Sequence, residues 1–417
     1  LNLSQWLEYL EQCHPSNIEL GLDRVNAVAE RLSISFSNSR IITVGGTNGK
    51  GSTVQMLSTI LEKAEYSTGC YTSPHIQVYN ERVRLGSRLA TDRELCDSFA
   101  AVEAVRGETR LTYFEFGTLA AFQLFSVQEP DFIILEIGLG GRLDAVNILD
   151  PDLAILTNVA LDHMDWLGET REEIGFEKAG IFRPNTPALI GEKDIPATVT
   201  AHAADIGAWV FANGQQFTAS AADDRWQWQG RSAMGEPVEI HDLPLNDFPL
   251  DNCATVLQAI TLIAPDISEE VIRSGLKEAE LTGRFQQIDR GYPLVLDVAH
   301  NPHAAKRLVE QVNARFPDHD VSIVIAMLAD KNYREVLATL QALSPRWYVA
   351  GIQEVRGLEG KMLYNHLAES GEENVQCFST VQEAFEAAES EQNGTKRDSV
   401  LLVTGSFFTV TGVLETI

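Results

Sequence analysis

The stretch Ile41-Ile42-Thr43-Val44-Gly45-Gly46-Thr47-Asn48-Gly49-Lys50-Gly51-Ser52-Thr53 leaves few folds open to this chain. Four strand-favouring residues run into two glycines, a Gly-Lys-Gly-Ser-Thr turn follows, and Val54 to Leu61 has helical character. Strand, glycine-rich turn and helix make a phosphate cradle: glycines admit backbone N–H groups to the phosphates, the helix N-terminus favours negative charge, and a lysine reaches the outer phosphates. The stretch departs twice from the G-x-x-x-x-G-K-[ST] pattern. Val44 stands where the first glycine is expected, and Gly51 separates Lys50 from the first hydroxyl. The competing reading is an ordinary glycine-rich turn between strand and helix.

A chain of 417 residues has room for about two or three domains. Its 44% hydrophobic content is that of a globular protein with sizeable cores. A net charge of −27 argues against general nucleic-acid binding, which rests on phosphate contacts. Small anions remain open to it through local cations and helix termini. The five cysteines, Cys13, Cys70, Cys96, Cys253 and Cys377, are scattered and form no C-x-x-C pair, so a reducing cytoplasm is the expected compartment. No apolar run is long enough to span a bilayer. Trp6, Glu8 and Glu11 stand where a signal peptide would be basic and then apolar.

Periodicity predicts helices over Leu3–Cys13, ended by Pro15, and over Leu22–Leu32. Strand patterns follow at Ser67–Tyr71, Phe132–Glu136 and Leu153–Leu156, with a hairpin around Gly86-Ser87 and helices at 91–105, 115–127 and 171–181. Such alternation implies a parallel sheet covered by helices. From about 215 to 245 the texture changes: Trp226 and Trp228 alternate, with turn residues at Asp223-Asp224 and Gly230, which reads as a small antiparallel insert. The α/β pattern restarts after Thr282–Gly291. The expected organisation is an N-terminal phosphate-loop domain over 1–284, a linker over 285–292 and a C-terminal Rossmann-like α/β domain over 293–417, with ligands held at strand C-terminal ends in a two-domain cleft.

Several strand ends carry chemistry. Glu136 closes an apolar run, which suits a magnesium carboxylate as well as a plain polar tip. Gly138-Leu139-Gly140-Gly141-Arg142-Leu143-Asp144 lets backbone approach a ligand and offers charges of both signs. His163, between Asp162 and Asp165, is either a metal ligand or a satisfied histidine. Lys178 lies on a helix, where most lysines are solvated. In the second half, one strand delivers Asp297 and His300 to its end, and Asn301-Pro302 then starts a helix as cap and first-turn proline. Ser406 follows the last strand and reads equally as a cap or a site residue.

Taken in order, Gly46–Ser52, Tyr71-Thr72-Ser73-Pro74-His75, Leu135–Asp144, Leu161-Asp162-His163, Glu177–Phe182, Gly283-Arg284-Phe285, Asp297–His303 and Gly405-Ser406-Phe407 span almost the whole chain. This set resembles the folylpolyglutamate synthase and dihydrofolate synthase family, relatives of the Mur peptide ligases, and the extra Gly51 is the form that family uses. Leu111–Glu115 and Glu19-Leu20-Gly21 look closest to its bacterial bifunctional (FolC-type) branch. The resemblance implies a Mur-ligase-like fold and a set of roles. Thr47, Asn48, Gly49, Lys50, Gly51 and Ser52, with Asn252, Arg284 and Asp297, would hold ATP. Ser73, Glu136 and His163 would hold Mg2+, with a monovalent cation as a further candidate. Lys178 matches a lysine that the family carries as a carbamate, and Lys50, Asp297, His300 and Lys178 form the implied catalytic set. Glu19, Leu20, Gly21, Thr112, Phe114, Asp144 and Ala145 match the pterin side, and His300 and Ser406 the incoming glutamate.

The implied reaction is ATP-dependent transfer of L-glutamate to dihydropteroate and to reduced folates already carrying glutamate, by a cytoplasmic monomer with no nucleic-acid or membrane partner. A carboxylate is a poor electrophile, so ATP must first phosphorylate it. The acyl phosphate then needs a nearby unprotonated amine and the exclusion of water, the reason to expect a closing cleft clamped by Arg284. A folylpolyglutamate synthase without the second activity, a Mur-type peptide ligase, a phosphotransferase or NTPase switch, and a non-catalytic nucleotide-binding module are the alternatives.

Overall fold

The computed structural model describes every residue except 15, 17, 223, 224 and 395–397. Pro15 as helix terminator and the Asp223-Asp224 turn therefore lie outside the described residues. The chain divides into two compact units, Leu1–Ala279 and Glu280–Ile417.

The first unit is built on eight strands: β1 (Arg40–Gly45), β2 (Thr68–Tyr71), β3 (Val83–Leu85), β4 (Arg88–Leu89), β5 (Phe132–Glu136), β6 (Leu153–Leu156), β7 (Pro187–Ile190) and β8 (Trp209–Ala212). They lie in the order β4-β3-β2-β5-β1-β6-β7-β8. The six from β2 to β8 in that order are parallel, and the β3–β4 hairpin continues the sheet antiparallel at its edge. β5 and β6 are buried throughout, as their unbroken apolar runs demand of strands covered on both faces. Parallel register brings the ends of β1, β5 and β6 side by side: Val44 faces Glu136, and Gly45 faces Leu156.

Between residues 218 and 244 a separate antiparallel sheet forms from β9 (Thr218–Ala222), β10 (Arg225–Arg231) and β11 (Pro237–Pro244). Trp226 and Trp228 point inward from β10 and are buried, while Arg225, Gln227 and Gln229 between and beside them are exposed.

In the second unit, β12 (Gln286–Asp289), β13 (Pro293–Leu296), β14 (Asp320–Ile325), β15 (Arg346–Ala350), β16 (Val375–Phe378) and β17 (Ser399–Thr404) form one sheet in the order β12-β13-β17-β14-β15-β16. All neighbours are parallel except β12, which runs antiparallel to β13. Residues 285–292, expected as a linker, thus hold the edge strand β12. The hydrogen-bonded register Gln287 to Val295 and Ile288 to Leu294 makes this stretch part of the sheet. No helix among the described residues is long and apolar enough to cross a membrane.

Candidate active site

The turn after β1 needs its glycines. Gly46 and Gly49 have φ of +142° and +81°. A Cβ on Gly46 would stand 1.9 Å from Thr157 Oγ1, and one on Gly49 2.4 Å from Asn252 Nδ2. The turn is pinned from the end of β6. Thr47 N–H donates to Asn158 O at 3.0 Å and Asn48 N–H to Asn158 Oδ1 at 2.9 Å. Asn158 Nδ2 and Thr157 Oγ1 both donate to Asn48 O, at 2.9 and 2.7 Å. Thr157 and Asn158, directly after β6, hold the loop in shape. Their one signal is a polar pair directly after an apolar strand. The helix Lys50–Lys63 follows with Gly51 and the buried Ser52 in its first turn.

Lys50 Nζ donates to the carbonyls of Gly46 at 3.1 Å and Thr47 at 3.2 Å. Lys178 Nζ reaches the same Gly46 carbonyl at 3.1 Å. Lys178 lies in the last turn of the helix Arg171–Ala179, whose start is fixed by a Thr170–Glu173 capping box. It is 4% exposed, against the expectation for a helix lysine. Burial, reinforced by the charge of Lys50, lowers its pKa to about 7, while Asp162 and Asp144 pull the other way. The helix backbone at Lys178 packs against the glycine loop after β5. A Cβ on Gly141 would meet Glu177 O at 2.7 Å and Lys178 O at 2.8 Å, and Arg142 N–H donates to Glu177 O at 2.8 Å. Asn147 completes the joint, its Nδ2 donating to Arg142 O at 3.1 Å and Gly180 O at 3.0 Å.

Glu136 is buried at the tip of β5 and accepts a hydrogen bond from Ser73 N–H at 3.1 Å. His163 follows β6 in a left-handed conformation, φ 53°, with Asp162 Oδ1 4.0 Å from its Nε2.

The residues matched to the pterin side gather around the same loop. Phe114 lies over Gly138, where a Cβ would meet its ring at 2.5 Å, and packs on Tyr71 with centroids 6.0 Å apart. Asp144 does not offer a free charge: its oxygens accept from Leu139 N–H at 2.8 Å and Val146 N–H at 2.9 Å, and burial raises its pKa to about 6. Ala145 beside it is buried. Thr112 caps the helix Tyr113–Gln128 in a box with Glu115. Glu19-Leu20-Gly21 joins the group through Gly21 N–H to Leu143 O at 3.3 Å. Arg24, not singled out by sequence, pairs with Glu19 and with the buried Glu115, the latter at 2.8 Å. Arg82, also unforeseen, donates from Nε to His75 Nδ1 at 2.9 Å and lies over the rings of Tyr79 and Tyr113. Burial and the Arg82 charge push the His75 pKa down to about 4, which keeps that acceptor neutral.

In the second unit, Asp297 accepts from Phe285 N–H at 2.9 Å and Ala299 N–H at 2.8 Å. Lost water contact pushes its carboxyl above the usual range, opposed chiefly by Arg284. His300 Nδ1 is 2.9 Å from Val298 O. Ser406 caps the helix Phe407–Leu414, accepting from Thr409 N–H at 3.0 Å.

The Mur ligase middle domain matches residues 44–231, and the Mur ligase glutamate ligase domain residues 283–407. The dihydrofolate synthase/folylpolyglutamate synthase of Escherichia coli (strain K12) is 42% identical over 415 residues, covering 100% of this chain and 95% of that protein. The chain belongs to the dihydrofolate synthase/folylpolyglutamate synthase family. Two solved structures of that family are similar over their length. E. coli FolC in complex with DHPP and ADP has a TM-score of 0.94 at 42% identity, covering 100% of this chain and 97% of that one. A bifunctional folylpolyglutamate synthase/dihydrofolate synthase with Mn, AMPPNP and L-glutamate bound has a TM-score of 0.91 at 42% identity, covering 100% and 98%.

Two features bear on what this member of the dihydrofolate synthase/folylpolyglutamate synthase family can hold. Among the described residues no three His, Cys, Asp or Glu side chains gather as a metal cage. Mg2+ needs no such cage: it keeps water and takes one or two protein oxygens with substrate phosphates, a demand that the adjacent Ser73 and Glu136 fit. Asn252 Nδ2 is buried with no hydrogen-bond partner among the described residues, at the edge of the phosphate turn. A buried donor left unpaired costs about 1–3 kcal/mol, so this one fits a ligand acceptor.

Proposed function

We propose that the chain is an ATP-dependent ligase joining L-glutamate to dihydropteroate and to folates that already carry glutamate, with release of ADP and phosphate. The observation that carries the reading is the buried Lys178 at the Gly46 carbonyl, beside the phosphate-loop lysine. A lysine poised to be neutral near pH 7 can attack CO2. The neutral amine forms one N–C bond to CO2 and gives up one proton, and the side chain becomes a carbamate anion.

Residues Thr47, Asn48, Gly49, Lys50, Gly51 and Ser52 are assigned to the phosphates, and Asn252, Arg284 and Asp297 to the rest of the nucleotide. Ser73, Glu136 and His163 are assigned to Mg2+, which when bound would neutralise phosphate charge. The carbamate of Lys178 would orient that ion's surroundings. Phe114, Thr112, Asp144, Ala145 and Glu19-Leu20-Gly21 position the acid substrate, so that one carboxylate oxygen attacks the γ-phosphorus and the bond to ADP breaks. Lys50 balances the charge gathering on that phosphoryl group. The glutamate amine, held with His300 and Ser406, then attacks the acyl carbon and phosphate leaves with the substrate oxygen. The same reading makes the enzyme monomeric and cytoplasmic, with small-molecule partners alone.

Oxygen-18 in the substrate carboxylate tests this. A ligase passes one label to inorganic phosphate for each amide formed. ATP turnover without label transfer, or without dependence on glutamate, rejects it. Separate assays with dihydropteroate and a monoglutamyl folate report whether both acceptors are used.

A further inference from the structure

Phe407 stands where the turn after β17 becomes a helix, and its ring touches two residues given different tasks above. The Arg284 guanidinium carbon lies 5.1 Å from the ring centroid. The His300 ring centroid lies 6.3 Å away, with the planes tilted by 47°. Both distances are those of favourable contacts, a cation over an aromatic face and a tilted aromatic pair.

The backbone beneath the ring is tied down. Gly405 N–H and Thr404 Oγ1 both donate to Ala299 O, at 3.0 and 3.3 Å, which fastens the β17 turn to the loop carrying Asp297 and His300. Gly405 adopts φ +106°, and a Cβ there would meet Ala326 O at 2.6 Å. Ser406 then caps the helix that Phe407 begins. The ring therefore stands on an anchored backbone, while Arg284 is a long side chain that loses much rotamer freedom when held.

We infer that Phe407 is a positioning residue, whose ring holds the guanidinium of Arg284 for the nucleotide and the imidazole of His300 for the incoming amino acid. The inference rests on the ligase reading for those two roles. It adds that one half-buried ring links them, so a change at Phe407 reaches both substrates while leaving the pterin side alone.

The test uses the full chain. Binding of MgADP is measured by titration calorimetry, and KM by steady-state kinetics, for Phe407→Leu, Phe407→Met and Phe407→Tyr, with melting temperatures as a check on folding. Loss of one cation–aromatic contact corresponds to about a threefold change in affinity. Phe407→Leu and Phe407→Met are expected to weaken MgADP by about that factor and to raise the KM for glutamate, with the KM for dihydropteroate unmoved. Phe407→Tyr, which keeps the ring, recovers most of the loss. In an Arg284→Met background, Phe407→Leu should weaken MgADP no further. The inference falls if both ring-less variants bind MgADP and glutamate as the wild type does, or if the Phe407 and Arg284 effects multiply independently. A wild type without glutamate-dependent ATP turnover would sink the ligase reading instead, and the calorimetric cycle would still decide the Phe407–Arg284 link.

Discussion

Lys50 and Lys178 donate to one and the same carbonyl oxygen, that of Gly46, each at 3.1 Å. Burial disfavours the charged form of Lys178, and the Lys50 charge beside it adds to the effect. The Lys178 ammonium is pushed from its ordinary 10.5 to about 7. Between those values the unfolded chain binds a proton that the folded chain does not, so stability rises with pH across that window. Below about 7 both states are protonated and the penalty is constant. In CO2-free buffer, chemical denaturation from pH 7 to 10 should therefore show wild-type stability rising relative to Lys178→Met. Parallel curves would show that the lysine is not buried as a cation-averse group.

The same lysine makes a kinetic prediction. Lys178→Ala should lose at least about a hundredfold in kcat, the scale of losing an oriented electrostatic group in a site. Wild-type enzyme stripped of CO2 should lose activity and regain it on adding bicarbonate. Bicarbonate should do nothing for Lys178→Ala.

Gly49→Ala attacks the loop at a positive φ and drives a methyl into Asn252. The strain amounts to about 1–3 kcal/mol. MgADP affinity should fall at least tenfold, read by calorimetry, with a lower melting temperature. Gly86→Ala provides the contrast: its φ is also positive, but no atom lies within 4 Å of the added methyl, so nucleotide affinity should hold.

Arg24 ties Glu19 to Glu115, and so the Glu19-Leu20-Gly21 stretch to the capped start of the Thr112 helix. Arg24→Met leaves Glu115 a buried carboxylate without its ion partner, which costs about 3 kcal/mol or more. Arg24→Lys keeps a charge and should be milder. In the lysine variant the KM for dihydropteroate should rise severalfold while the KM for ATP stays put. An equal rise in both would show a general loss of structure.

Arg284→Ala should lower kcat/KM for ATP by more than about threefold, the least expected of a cation that contacts the nucleotide. A smaller change would remove Arg284 from the nucleotide set.

Where the sequence is periodic or unbroken, its structure is readable. β6 is a continuous apolar run, β5 one closed by Glu136, and β1 one broken only by Thr43 after the exposed Arg40; all three are strands, buried beyond Arg40. Other elements hide. Ala197–Ile206 and Trp209–Ala212 escape notice because the helix is rich in alanine and the strand begins with an exposed Trp209. The helix Gly360–Glu369 and β16 are missed likewise, β16 having no buried residue to mark it. The site divides the same way. Glycine positions announce the loop, but Lys178 is buried on a helix whose backbone packs closely on Gly141, far away in the chain, and no spacing rule carries that. Asp144 illustrates the converse: an acid after three glycines reads as a charge on offer, yet its own loop's amides consume it.

β12 sets where the chain can be cut. It covers the outer edge of β13, whose Leu294, Val295 and Leu296 are fully buried. A fragment beginning at residue 293 would bare that row of N–H and C=O groups beside three aliphatic side chains, an invitation to pair with another copy and aggregate. A fragment beginning at Glu280 carries its own covering strand, and should be the one that stays dispersed when the second unit is expressed alone.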